Sequence, residues 1–510
     1  MKNNKAVKSA SIIIVISIVS KVFGLLRDTL MAKAFGTTFQ TDAYNMSITV
    51  PNILFGVIGA AIVTTFIPIL SETYKEKGKE EMFRFANNIM NILLSISLVL
   101  CIVGIIFAPY LVKIVAPNFE PETYNLTVSL TKISMISILF MAMNSGYTAI
   151  LQTLDDFVAP ALIGIALNIP IIVYILLGNH SILGLTIATL IGNAMQVIVQ
   201  IPWLIKHKYK YSIFVNLKDK RIAKMFSLIM PIIIGASVNQ INSVVDKTIG
   251  SGLPEGSISA LNYAQKINGL VYSVFAVAII TVVYPKFSRA ASAGEKDNLK
   301  LFISKAINNI NLVMIPATLG IMVLSVPIVR VIYQRGEFDE KSVIMTSTAL
   351  IFYSIGVLVW GIEDIYNRAF YAMQDTKTPM IIGIIGVSTN IIFNLILVRF
   401  MGLGGLALST SISAFVCTII LIFTLRRKMS GINGLSSFKS SLKIFVASFI
   451  MATVVKYGYQ FLELRINYII AMIISIIIGV ALYAILILIF KVPELYEMID
   501  MIKEKLNIKR

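Results

Sequence analysis

The chain has 510 residues, of which 57% are hydrophobic and 14% are charged. Soluble globular proteins carry roughly 25% charged residues, so this composition excludes an ordinary water-soluble fold. The net charge of +18 fits either a nucleic-acid partner or a membrane protein with basic cytoplasmic loops, and the positions of Lys and Arg decide between the two.

Apolar runs long enough to cross a bilayer, roughly 20 residues each, recur along the whole chain. When they are divided at turn residues and charge clusters, they predict an all-α polytopic membrane protein with about fourteen transmembrane helices. The predicted centres, in chain order, are Val19, Gly56, Leu98, Ile138, Ile165, Ile191, Ile233, Phe275, Leu312, Ser354, Gly386, Ala414, Ala447 and Gly479.

Basic residues concentrate in every second connection. The basic set comprises the amino terminus, 75–84, 206–224, 286–300, 426–443 and the carboxyl tail, with 375–377 as a short member. The alternate connections are short and hold few basic residues, at 36–40, 117–123, 178–181, 252–256, 335–341, 401–404 and 463–465. Because cytoplasmic loops accumulate Lys and Arg, both termini are predicted to be cytoplasmic. The basic residues are scattered over these loops and form no continuous groove with interleaved aromatic residues, which excludes a nucleic-acid partner. The tail from Val492 is predicted to form an interfacial helix.

An internal repeat relates two segments of the chain. Residues 42–71 align without a gap over 259–288, with matched Ala, Asn, Thr, Pro and Ser positions. The shift corresponds to six helices, an even number, so the sequence predicts two parallel six-helix repeats, an arrangement that some transporters use. The predicted divisions are 1–215, 216–430 and 431–510, the last with two additional helices that could provide a lipid-facing groove.

Signatures of enzymes and metal sites are missing from the sequence. It contains no phosphate-binding loop of the G-x-x-x-x-G-K-[ST] type, two histidines and two cysteines, Cys101 and Cys417, each within an apolar run. We therefore predict a secondary-type transporter that is not an enzyme and has no cofactor beyond a coupling ion.

Ionisable residues within the apolar runs are the candidate site, because charges at bilayer depth are costly and are usually functional. Arg27 and Lys266 are interpreted as cations, one from each half, that bind an anionic substrate, and Asp28 and Asp42 are the other predicted substrate-binding residues. The alternatives are a local Arg27–Asp28 pair and a Lys266 side chain that reaches the interface.

A coupling ion, Na⁺ or H⁺, is expected at Asp246, with Asp364 and Asn367 as further candidate oxygen ligands. The alternatives are a salt bridge at Asp246 and an interhelical polar patch at Glu363, Asp364 and Asn367. Membrane potential is a second predicted driving force.

Several blocks resemble the MurJ (MviN) family of lipid II flippases in the MOP exporter superfamily. In order, they are SKVFGLLRD at 20–28, AFG at 34–36, TDAY at 41–44, PN at 51–52, FIP at 66–68, LPEGSISALNYA at 253–264, YPKFS at 284–288, RGEF at 335–338 and FYAMQDTKTP at 370–379.

This resemblance implies a flippase in the bacterial plasma membrane that moves undecaprenyl-diphosphate-linked peptidoglycan precursor to the outer leaflet by alternating access. It places family cavity cations at Arg27 and position 266, and a sodium ligand at Asp246. Cell-wall synthesis proteins are expected partners, beside membrane lipids.

The chain departs from the family pattern at two places. Residues 53–56 lack the usual basic residues, and Gln265 and Lys266 stand where Asp and Arg are usual. Lysine cannot reproduce the planar fork with which arginine binds diphosphate. The alternatives are therefore a flippase for another polyprenyl-linked oligosaccharide, such as a capsule or teichoic-acid precursor, then a drug or cation antiporter of the superfamily. A non-transporting scaffold is disfavoured by the charges within both halves.

Overall fold

The computed structural model describes residues 2–178, 181–429 and 434–496. The described chain is helical, and its helices are α1 (Lys2–Phe35), α2 (Phe39–Ile106), α3 (Ala108–Val115), α4 (Pro121–Ser134), α5 (Ser137–Thr153), α6 (Val158–Leu176), α7 (Ile182–Ile198), α8 (Ile201–Lys206), α9 (Lys220–Gly250), α10 (Ser257–Ser292), α11 (Lys296–Val323), α12 (Ser325–Tyr333), α13 (Glu340–Ala372), α14 (Lys377–Met401), α15 (Leu403–Lys428), α16 (Gly434–Glu463) and α17 (Tyr468–Ile489).

The all-α membrane fold is confirmed. All fourteen predicted centres lie in these helices, and among the described residues eleven helical segments are long and apolar enough to cross a membrane. The total of fourteen spans stays a prediction. The tail beyond Tyr496, where an interfacial helix is predicted, lies outside the described residues.

Helix α2 contains two of the predicted centres, Gly56 and Leu98. Its 68 residues would be about 100 Å long as one straight helix, far more than the roughly 30 Å of a hydrocarbon core. Gly78 divides it, with a non-helical φ of 82° and ψ of −179°. Glycine tolerates this positive φ because it has no Cβ.

The chain forms two compact units. The first unit comprises residues 1–259 with 335–339, and the second comprises 260–334 with 340–510. The limits of these units differ from the predicted boundaries at 215 and 430. The predicted boundaries follow from the internal repeat and not from compactness, so the division into two repeats stays a prediction. Both segments of the repeat lie in helices, α2 and α10.

In the first unit, α2 packs against α4, α5 and α9, while α1 packs on α6 and α6 on α7. Its largest apolar core joins α2 to α5 through residues such as Phe66, Phe85 and Ile150. In the second unit, α15 packs against α13 and α14, and α16 packs against α11 and α17. Helix α17 leaves most of its apolar surface exposed, including Ile477 and Val480, as expected of a helix that faces lipid.

Candidate functional site

Arg27 and Asp28 form an ion pair on α1. The Arg27 Nε and Nη2 atoms donate to Asp28 Oδ1 at 3.0 and 2.8 Å, and the side chains are 20% and 6% exposed. The local pair considered as an alternative is therefore present. A guanidinium has five N–H donors, so this pair is compatible with additional anion binding by Arg27, which stays a prediction.

Asp42 caps a distant helix. Its carboxylate is buried and accepts hydrogen bonds from the Gly256 N–H at 2.8 Å, the Ser259 N–H at 2.8 Å and the Ser259 hydroxyl at 2.5 Å. The first N–H groups of a helix have no partner within the helix, and a carboxylate is a favourable acceptor there. Asp42 thus stabilises the start of α10. Its role as a substrate ligand stays a prediction.

Three further contacts tighten the same region of the first unit. The Glu337 N–H donates to the Lys33 carbonyl at 2.9 Å, and the Phe39 N–H donates to Glu255 Oε1 at 2.8 Å. Asn45 Nδ2 donates to Ser259 Oγ at 3.1 Å. The blocks at 34–36, 41–44, 253–264 and 335–338 therefore meet in space although they are far apart in sequence. We call this set of contacts the loop junction.

A polar cavity of about 400 Å³ adjoins the loop junction. Its lining includes four carboxylates, those of Asp42, Glu120, Glu122 and Glu255. Two of these already have partners, since Asp42 caps α10 and Glu255 accepts from Phe39. No local sequence pattern indicates this cavity, because its residues come from three regions that are far apart in the chain.

Asp246 and Lys247 lie near the carboxyl end of α9. Asp246 is half-buried, and Lys247 Nζ donates to Thr49 Oγ1 of α2. Among the described residues, no group of three or more His, Cys, Asp or Glu side chains is placed to hold a metal ion. An ion at Asp246 would need neutral oxygens as its other ligands, and this assignment stays a prediction.

Lys266 lies on α10 in the second unit and is half-buried. The residues around it on the helix are anchored to α13. Gln265 Nε2 donates to Tyr353 Oη at 2.9 Å, and the Ser354 hydroxyl donates to Asn268 Oδ1 at 3.1 Å. These two bonds fix the stretch of α10 that presents Lys266.

Asp364 belongs to a polar cluster between α13 and α10. The Tyr272 hydroxyl donates to Asp364 Oδ2 at 3.1 Å, and Arg368 Nε lies 3.3 Å from Asp364 Oδ1. Asn367 is half-buried one residue before Arg368 and shares a helix face with Asp364, because residues three apart are neighbours on a helix. The cluster matches the interhelical polar patch considered as an alternative, and ion binding by Asp364 and Asn367 stays a prediction.

Two asparagines of α14 were missed by the sequence analysis. Asn390 and Asn394 are fully buried, Asn394 Nδ2 donates to Asn390 Oδ1 at 2.7 Å, and Asn390 Nδ2 donates to Thr410 Oγ1 of α15 at 3.3 Å. Amide and hydroxyl oxygens are ligands for hard cations. The signal in the sequence is a pair of asparagines four residues apart in an apolar run, and neutral amides stand out there less than charged residues do.

An apolar groove of about 590 Å³ crosses the second unit. It is lined by residues of α10, α11, α16 and α17, among them Phe275, Pro316, Met451, Ile476 and Val480. The last two predicted spans thus contribute directly to a groove with a nearly uniform hydrocarbon lining.

Comparison with known proteins identifies the relatives of this chain. The family model for lipid II flippase MurJ matches residues 31–477. A lipid II flippase MurJ from Thermosipho africanus is 32% identical over 91% of this chain and 93% of its own length. A probable lipid II flippase MurJ from Vibrio cholerae is 29% identical over 81% and 82%.

Solved structures give the same result. A lipid II flippase MurJ in an inward closed conformation superposes with a TM-score of 0.80 at 31% identity, over 94% of this chain and 98% of that one. An inward-facing multidrug resistance MATE transporter of the MOP superfamily superposes with a TM-score of 0.65 at 15% identity, over 84% and 99%. The second likeness concerns the fold alone.

Proposed function

This chain belongs to the MurJ family of lipid II flippases, as the sequence blocks indicated, and we propose on that basis that it moves lipid II from the cytoplasmic to the outer leaflet of the bacterial plasma membrane. The observation that carries the proposal is the family match over residues 31–477. The chain is then a transporter and not an enzyme, and its substrate is a lipid-linked peptidoglycan precursor.

Arg27 and Lys266 are the residues we assign to the substrate diphosphate. Charge-assisted hydrogen bonds from guanidinium and ammonium groups are the usual means of binding phosphate. Asp28 supports this assignment, because its bond to Arg27 Nε and Nη2 holds the guanidinium in one orientation. Lys266 would act as a point charge without the planar fork of arginine.

The groove of the second unit is the site we assign to the polyprenyl tail. The tail is a hydrocarbon, and transfer of hydrocarbon between a bilayer and an apolar groove changes its environment little. The groove is bordered by α17, whose exposed apolar side chains face lipid. The tail could therefore remain in contact with the membrane while the headgroup crosses.

Alternating access is the mechanism that fits these assignments. With both termini cytoplasmic, as the basic connections predict, the loop junction lies on the outer side. The contacts of Asp42, Phe39 and Asn45 with residues 255–259 support a conformation closed on that side. Outward opening requires that some of these bonds break.

The energy for outward opening comes from membrane potential or from an ion, Na⁺ or H⁺. Asp246 is the first candidate ligand, with Asp364 and Asn367 as further candidates. Wall-synthesis enzymes that supply or consume lipid II are the expected partners.

The experiment is complementation of cells whose only lipid II flippase is depleted, with lipid II exposure on the outer leaflet as the direct readout. The unsubstituted chain should restore growth and exposure. Arg27→Ala should abolish both while membrane expression is retained, and Arg27→Lys should restore them only partly. Arg399→Ala serves as the matched control, because this arginine is exposed at the end of α14.

Full complementation by Arg27→Ala would overturn the role assigned to Arg27. Failure of the unsubstituted chain despite confirmed membrane expression would instead overturn the choice of cargo. It would favour another polyprenyl-linked oligosaccharide, with the missing basic residues at 53–56 as the reason.

A further inference from the structure

The connection between α8 and α9 contains an extended segment that is held along α2. We call residues 209–217 the strap. The strap lies in the first unit and has no regular secondary structure from 209 to 216. Most connections of this length run freely over a protein surface, whereas this one is fixed by a row of asparagine side chains.

Asn87 and Asn91 bind the first part of the strap. Asn87 Nδ2 donates to the Lys210 carbonyl at 2.9 Å and to Ser212 Oγ at 3.1 Å. Asn91 Nδ2 donates to the carbonyls of Ser212 and Phe214 at 2.8 and 3.0 Å. Residues four apart lie on one face of a helix, so the two amides bind the carbonyls of every second residue along the strap.

Asn88 binds the second part through a pair of bonds. Its Nδ2 donates to the Asn216 carbonyl at 3.0 Å, and its Oδ1 accepts from the Asn216 N–H at 2.7 Å. The Tyr209 hydroxyl adds a bond to Asn87 Oδ1 at 2.5 Å. These contacts set the register of the strap and therefore decide which side chains point away from α2.

Tyr211 bonds back to α2, because its hydroxyl donates to Asn91 Oδ1. The exposed side chains that follow it are large and apolar: Ile213, Val215 and Leu217 are 86%, 53% and 69% exposed. Their spacing of two residues places them along one edge of an extended segment. A continuous exposed apolar edge on a fixed backbone indicates an interaction surface.

The position of the strap along α2 gives its depth. Asn91 and Asn87 precede Ile106, the last residue of α2, by 15 and 19 positions, or about 22 and 28 Å of helix. The hydrocarbon core is about 30 Å thick, and the outer half of this helix exposes Leu98, Val99 and Ile102 as a lipid-facing surface. If Ile106 marks the outer end of this span, as the predicted cytoplasmic termini imply, the strap lies at the cytoplasmic edge of the hydrocarbon.

The charges that flank the strap are positive. Lys206, Lys208, Lys210, Lys218 and Lys220 are all exposed. The nearby acidic group Asp219 is engaged by Arg221 at 2.6 Å, and this hydrogen bond lowers the pKa of Asp219. An apolar edge bordered by lysines complements the anionic surface of the cytoplasmic leaflet.

We propose that the strap is a membrane-surface anchor. Its apolar edge inserts between the headgroups of the cytoplasmic leaflet, and its flanking lysines bind the phosphates of anionic lipids. A soluble protein partner is the competing occupant, and the depth of the strap along α2 favours lipid.

The test uses the full chain in vesicles with an environment-sensitive fluorophore attached to Ile213→Cys. The native Cys101 and Cys417 are buried, and the unsubstituted chain measures their background labelling. One set of vesicles contains phosphatidylcholine alone and the other equal parts of phosphatidylcholine and phosphatidylglycerol. Lipids with a shallow spin label and aqueous iodide serve as opposing quenchers.

The matched control is Glu80→Cys on the same half of α2. Glu80 is exposed and lies 26 positions before Ile106, about 39 Å along the helix and hence beyond the hydrocarbon. The Ile213 label should be quenched several-fold more by spin-labelled lipid than the Glu80 label, and several-fold less by iodide. This difference should increase with phosphatidylglycerol.

A second variant tests the charges. Replacement of Lys208, Lys210 and Lys218 by Gln in the Ile213→Cys chain should remove the effect of phosphatidylglycerol, while an unchanged elution profile verifies the fold. Three results would overturn the proposal: equal iodide quenching at Ile213 and Glu80, no dependence on phosphatidylglycerol, or protection of Ile213 that requires added cytoplasmic protein.

Discussion

At the scale of single residues, Asp42 shows that a charge near a membrane span can maintain the fold. Its carboxylate is 4% exposed and accepts three hydrogen bonds from residues more than 210 positions away. A carboxylate that loses its solvation is stabilised only when it is hydrogen-bonded or paired. The bonds to Gly256 and Ser259 supply that stabilisation.

Asp42→Ala should therefore lower the free energy of unfolding by about 3 kcal/mol, because it leaves two buried N–H groups and one hydroxyl without their acceptor. Asp42→Asn should cost less, since one acceptor oxygen remains. Thermal unfolding in detergent measures both variants. Asp297→Asn, with a side chain that is 97% exposed, is the control and should match the unsubstituted chain.

A different result would assign Asp42 to the substrate. If Asp42→Ala unfolds at the same temperature as the unsubstituted chain but no longer supports lipid II exposure, the carboxylate acts on cargo and the capping role is minor.

At the scale of elements, the loop junction depends on glycines that allow close backbone approach. Gly256 has a φ of +85°, and a Cβ there would lie 2.1 Å from the Thr37 carbonyl oxygen. Gly36 and Gly336, both with a φ of +58°, approach the carbonyls of Glu337 and Lys33 in the same way. The glycines in the blocks AFG, LPEG and RGEF are thus explained by contacts between the blocks.

Gly256→Ala should destabilise the chain by about 3 kcal/mol, combining the strain of a left-handed backbone with displacement of Thr37. Gly294→Ala is the matched control, because Gly294 also has a positive φ, +72°, but no atom lies within 4 Å of its added Cβ. It should cost about 1 kcal/mol from strain alone. If both variants lowered the unfolding temperature equally, the close approach of Gly256 to Thr37 would not be the cause of the additional destabilisation.

The elements themselves could be predicted from sequence far better than their contacts. Apolar runs of membrane length are a local signal, and each predicted centre lies in a helix. The partners of Asp42 and Asn88 are 214 and 128 positions away, and no local pattern contains that information. The Arg27–Asp28 pair was anticipated because its members are adjacent, whereas Asn390 and Asn394 were overlooked because neutral amides do not interrupt an apolar run.

At the scale of the whole molecule, transport by alternating access requires contacts that hold in one conformation and break in another. The loop junction is the candidate set, since it joins α2 to the start of α10 through side-chain bonds such as Asn45 to Ser259. Such bonds are individually modest, so that a conformational change can exchange them. The strap contacts, in contrast, should persist throughout the cycle if the strap is an anchor.

A covalent link should therefore have opposite effects at these two places. Asn45→Cys with Ser259→Cys, joined by a short bis-methanethiosulfonate cross-linker that forms a disulfide with each cysteine, should stop lipid II exposure, and cleavage of these disulfides by a reductant should restore it. Asn87→Cys with Ser212→Cys is the matched control, since its native side chains are also joined by a bond of 3.1 Å. The linked control should still transport. Undiminished lipid II exposure with complete cross-linking at Asn45 and Ser259 would contradict opening at the loop junction, because a closed link and continued transport cannot coexist if that junction must separate.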